Sequence, residues 1–119
     1  MITYFFRKPK YPVLCSIDGF VIAARSEKTF LKQLLLTNVD PEKSYNLVDS
    51  FNEGWLFTPK LMMISPFTCK KSWTKKEMIA LYNGRKNRED DSALYSEKSL
   101  SSKRLDKIFQ DIVALLLKT

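Results

Sequence analysis

The chain contains no histidine, only two cysteines and only three glycines. Without an imidazole there is no Ser-His or Cys-His nucleophilic pair and no general base of the commonest kind, so any catalysis would rest on Asp, Glu, Lys, Tyr or an unassisted thiol. Cys15 and Cys69 lack CxxC spacing, and a zinc ion bound to both would need carboxylates as well, an unusual ligand set; neither a metal site nor a cofactor is expected. Glycine is too scarce for a phosphate-cradling loop. Asn83-Gly84-Arg85-Lys86-Asn87-Arg88 has one glycine and no terminal Lys-Ser/Thr, and reads as a helix cap followed by a basic loop. Long apolar runs are missing as well: Asp18 splits the longest N-terminal one, and Ile112 to Leu117 is too short to span a membrane. Arg7, Lys8 and Lys10 follow the apolar start rather than precede it, which argues against a secretory signal. The expectation is an intracellular protein with reduced thiols and no membrane partner.

What is present is enough for a core. The chain has 119 residues, 45% of them hydrophobic and 15 aromatic (Phe 8, Tyr 5, Trp 2), which suits one packed domain over residues 1–119. Its clearest local signal is Asp18-Gly19 between Val13-Leu14-Cys15-Ser16-Ile17 and Phe20-Val21-Ile22-Ala23-Ala24, the pattern of a two-residue hairpin whose turn needs positive φ. That turn predicts Ile17 opposite Phe20, Cys15 opposite Ile22 and Val13 opposite Ala24 on one face, with Leu14, Ser16, Val21 and Ala23 on the other. Both faces are largely apolar, which places the pair inside a sheet covered by helices.

Ile2 to Phe6 reads as a β-prone edge strand. Ser26 caps a first helix over 27–36, with Phe30, Leu31, Leu34 and Leu35 at helical spacing. Ser44–Asp49 and Trp55–Thr58 form a second hairpin, with Gly54 suited to a left-handed position at the end of its loop. Lys60–Ser65, fenced by Pro59 and Pro66, is a further strand. Thr74-Lys75-Lys76-Glu77 has the capping-box pattern and starts a second helix that stops at Asn83-Gly84 with a positive-φ cap. Residues 85–98 form a long polar loop. The last helix carries Leu105, Ile108, Phe109, Ile112, Leu115 and Leu116 on one face. The fold class is α+β, ordered β-β-β-α-β-β-(β)-α-α: a mostly antiparallel sheet of about five or six strands, with three helices mainly on one face.

The net charge of +7 is concentrated locally. Residues 60–88 carry eight basic side chains (Lys60, Lys70, Lys71, Lys75, Lys76, Arg85, Lys86, Arg88) against one acid, Glu77. The excess brackets the second helix, with Trp73 interleaved and Thr74 at the cap. Anions favour a helix N-terminus among lysines, and single-stranded nucleic acid favours cations interleaved with aromatics. Against this stands the ordinary reading of a solvated charged face, a core Trp73 and a cap satisfied internally by Thr74 and Glu77; no RNP, GXXG, helix-turn-helix or zinc-finger pattern adds to the case. Cys15 reads as a buried thiol, and Cys69 beside Lys70 and Lys71 as the more reactive one. Asp49 and Glu53 bracket a turn and are a weak acid–base pair. The leading expectation is a non-enzymatic module that binds an anionic partner, nucleic acid ahead of acidic protein, around residues 70–88. The alternative is a protein-interaction or homo-oligomer module using the last helix or the N-terminal edge strand, and a small histidine-free enzyme ranks last.

Overall fold

A computed structural model of the chain describes residues 2–85, 95, 98 and 102–117. Most of the polar loop at 85–98, including Lys86 and Arg88, lies outside the described residues. The sheet has six strands: β1 (Thr3–Tyr4), β2 (Val13–Ile17), β3 (Phe20–Ala24), β4 (Tyr45–Asp49), β5 (Gly54–Thr58) and β6 (Met63–Pro66), in the spatial order β1-β6-β5-β4-β2-β3. All neighbours pair antiparallel except β1 with β6. Among the described residues the helices are α1 (Glu27–Leu35), α2 (Lys75–Asn83) and α3 (Leu105–Leu116). The class is α+β, as expected from the sequence.

The Asp18-Gly19 turn has φ of 50° and 92°, and the β2–β3 register runs Ile17–Phe20, Cys15–Ile22, Val13–Ala24. Asp18 also accepts hydrogen bonds from Lys43 Nζ (3.1 Å) and the Tyr45 hydroxyl (3.3 Å), which tie the turn to β4. The hairpin is not central, however. β3 is an edge strand, and its two apolar faces are satisfied because α1 covers one side of the sheet while the other two of the three helices lie, as expected, together on one face. Val13, Cys15, Ile17, Ile22, Leu47, Trp55 and Phe57 pack with Phe30 of α1, whereas Leu14, Ala23 and Val48 pack with Met78 and Ile79 of α2 and Ile108, Phe109 and Ile112 of α3.

Four local expectations are corrected. The left-handed residue of the β4–β5 turn is Asn52 (φ 63°), not Gly54. Asn52 can take that conformation, and the glycine is needed for space instead: a Cβ on Gly54 would stand 1.7 Å from the carbonyl oxygen of Lys70, in a segment that crosses over it. Gly84 ends α2 at φ −92°, because the Gly84 N–H reaches Ala80 O (3.0 Å) and the Arg85 guanidinium donates to Tyr82 O (2.6 Å), so no left-handed cap is required. Pro59–Leu61 turn as a 3-10 segment ending in left-handed Met62, and the sixth strand therefore starts at Met63 rather than Lys60. In α3, Val113 is buried while Leu115 is exposed, since a 3.6-residue period carries the tenth position past the first off the buried stripe.

α3 is anchored by a charged cluster. The Asp111 carboxylate accepts from the Tyr95 hydroxyl (2.7 Å), Lys103 Nζ (3.1 Å) and Lys107 Nζ (2.9 Å), and Asn83 pairs with both backbone groups of Tyr95. Burial alone would raise the Asp111 pKa, but the bonds from Lys107, Tyr95 and Lys103 outweigh it and hold it at about 2. A carboxylate depressed in the folded state stabilises above its unfolded value of about 4, and that contribution disappears as pH falls through the folded value. Urea midpoints measured against pH should therefore drop between about pH 4 and 2. Asp111→Asn should be less stable at neutral pH, with a shallower acid loss; an unchanged acid slope would show that the cluster contributes nothing.

Candidate anion-binding surface

The basic stretch folds into two parts. Residues 67–73 leave β6 and pack along the end of the β4–β5 hairpin: Phe67 N–H donates to Gly54 O (3.1 Å), Gly54 N–H to Lys71 O (3.0 Å) and Trp73 N–H to Asn52 O (2.8 Å). α2 then starts at Thr74. Its capping box is complete, with the Glu77 N–H donating to Thr74 Oγ1 (3.2 Å) and the Thr74 N–H to Glu77 Oε1 (3.0 Å). Two of the backbone donors at that helix end are thus used internally.

Lys70 is committed too. Its ammonium donates to Glu77 Oε2 and lies 4.7 Å from the centre of the Trp73 ring. The bond from Lys70, followed by the one from the Thr74 backbone, holds the Glu77 pKa below its usual value. Trp73 itself is 8% exposed and packs in the core with Met78, Ile79 and Ile108, so its ring offers no open face for a base. Arg85 stacks on Tyr82 at 3.8 Å. It stands at the far end of α2, about 13 Å from the N-terminal lysines by the rise of a nine-residue helix. Of the residues picked out by sequence, Lys70 to Lys76 lead into the start of α2, with Lys71 and Lys75 lining different grooves, and Arg85 stands at its far end; Lys86 and Arg88 lie outside the described residues. Lys71 and Lys76 have no ion-pair partner among the described residues.

Chain order gave no hint of the residues that join them. Arg7, beyond β1, lines one groove of about 410 Å³ with Glu53, Gly54, Phe67 and Lys71. Its guanidinium pairs with Glu53 at 2.8 Å and lies 4.9 Å from the Trp55 ring centre. On the other side of the β4–β5 turn, a more open groove of about 540 Å³ is lined by Phe51, Asn52, Lys75, Arg104 and Asp106. The parallel pairing of β1 with β6 brings Arg7 here, and it could be read only from the sheet order.

The weaker candidates separate. Asp49 is buried, and its carboxylate accepts from the backbone N–H groups of Lys10 (3.1 Å), Phe51 (3.0 Å) and Glu53 (3.0 Å). It holds a turn, while the Glu53 carboxylate faces Arg7. Cys15 is fully buried, and burial raises its thiol pKa. Cys69 is exposed, but Lys70 is directed at Glu77. No helix among the described residues is long and apolar enough to cross a membrane. No family model, curated protein or solved structure matches this chain.

Proposed function

We propose that the protein is a non-enzymatic binding module that takes an anionic partner, nucleic acid ahead of acidic protein, on the basic surface between the 67–73 segment and the start of α2. The observation that carries the reading is the local charge, eight basic residues against one acid over 60–88, with Lys71 and Lys76 unpaired among the described residues. Lys71 and Arg7 on one groove, and Lys75 and Arg104 on the other, would meet phosphates as point charges and forks. An intracellular setting, which two free thiols would suit, belongs to the same proposal.

The test is DNA and RNA binding at low and near-physiological salt. Changing Lys71, Lys75 and Lys76 together to Gln should weaken binding at low salt and flatten the salt dependence by roughly one unit of slope for each phosphate no longer neutralised. Lys70→Gln should act on stability instead, because its partner is Glu77. Equal binding by wild type and the triple variant would remove this surface from consideration.

A second reading has its own observation. Leu35 and Leu36 are exposed, although helical spacing places Leu35 inward, and Leu36 shares a groove with Phe20 beside the β3 edge. The last helix, which the sequence offers as a surface for association, turns Ile108, Phe109, Ile112 and Val113 into the core and leaves Leu115 exposed. Self-association through Leu35 and Leu36 would persist in high salt, where phosphate binding fades.

A further inference from the structure

Phe6 is 86% exposed and has a φ of 67°, while the Arg7 N–H donates to Phe5 O at 2.8 Å. That is a three-residue γ-turn of the left-handed kind, which is rare and strained for a residue with a Cβ. An aromatic ring held in solvent on such a backbone gains nothing from the core to offset the strain, and strain of this sort collects at functional sites. The Phe5 ring lies 4.3 Å from the Phe6 ring, centre to centre, and is also exposed. Arg7, Lys8 and Lys10 follow directly, and no acid precedes Asp18. From Arg7 the groove runs past Phe67 to Lys71, and beyond the turn lie Phe51, 66% exposed, then Lys75 and Arg104. Rings and cations thus stand on both sides of the β4–β5 turn, around that end of the sheet.

We infer that a single-stranded nucleic acid lies along this track, its bases stacked on Phe5, Phe6 and Phe51 and its phosphates on Arg7, Lys71 and Arg104. The inference rests on the proposed anion-binding function and names its ligand class. A single strand offers open base faces to exposed rings, whereas a duplex keeps its bases stacked on one another. A bilayer also attracts phenylalanines flanked by cations, but a flat surface leaves the Phe67 and Lys71 groove unfilled. Among the described residues Glu53 is the one opposing charge that lines the first groove, and it holds Arg7. Removing that charge frees the guanidinium for a phosphate, so Glu53→Gln should tighten binding, a gain that no loss of folding can imitate.

The experiment is fluorescence anisotropy with an oligothymidine of about 12 nucleotides, within the usual site sizes, and a duplex of equal length. Wild type should prefer the single strand. Phe5→Ala/Phe6→Ala, and Phe6→Ala alone as the milder change, should weaken single-strand binding about tenfold or more and leave duplex binding unchanged, with circular dichroism unaltered. Glu53→Gln should bind several-fold more tightly. Salt-sensitive binding that is equal for both forms and indifferent to the Phe changes overturns the track and leaves the anion-binding proposal standing. Absence of binding to either form overturns that proposal as well. Binding to phosphatidylcholine–phosphatidylserine vesicles that is lost in the Phe variants, without oligonucleotide binding, makes the site a membrane contact and overturns the inference.

Discussion

Gly54→Ala is expected to destabilise the protein by about 3 kcal/mol, and more if the crossing segment is expelled. The new Cβ would fall 1.7 Å from Lys70 O and 2.9 Å from the Lys70 carbonyl carbon, and these are backbone atoms with no rotamer to give way. Relief requires moving the 67–71 segment off the hairpin, which breaks the Gly54 N–H to Lys71 O and Phe67 N–H to Gly54 O bonds. The loss should register as a lower urea midpoint. Because the segment carries Lys71, nucleic-acid binding should weaken in the same variant. A Gly54→Ala protein with wild-type stability would mean that the segment does not cross at this point.

Trp73→Ala should cost roughly 3–5 kcal/mol of stability, the usual loss for a buried large aromatic side chain. The ring packs in the core beneath Lys70, and its Nε1 lies 3.6 Å from where a Gly54 Cβ would stand, so the indole fills the junction between α2 and the β4–β5 hairpin. If Trp73 instead stacked a base, the variant would keep its stability and lose single-strand affinity. Thermal or urea unfolding beside an oligonucleotide titration distinguishes the two. Full stability with weakened single-strand binding would contradict the burial of Trp73.

These two residues mark where the sequence is readable and where it is not. The β2–β3 register follows from Asp18-Gly19 alone, because a two-residue turn leaves one pairing and the pattern on both strands agrees with it. The α2 capping box follows from Thr74 and Glu77 because both partners lie within one turn of helix. Gly54 misleads because a close approach between distant segments leaves no local trace, and a glycine in a turn suggests positive φ first. The charge count over 60–88 holds as a count, yet it cannot show that Lys70 spends its charge on Glu77 or that Arg85 stacks on Tyr82. Arg7 is illegible for the opposite reason: it is distant in the chain, and only the parallel β1–β6 pairing brings it beside Lys71.

Binding of a single strand along this surface is tested most directly by an amide chemical-shift titration of labelled protein with a single-stranded oligonucleotide at low salt. Shifts are expected at Phe5 to Lys8, at Phe51 to Gly54, and from Phe67 to Lys76, reversed by raising the salt concentration. Absence of shifts on that surface, or shifts confined to Phe20, Leu35 and Leu36, would contradict it.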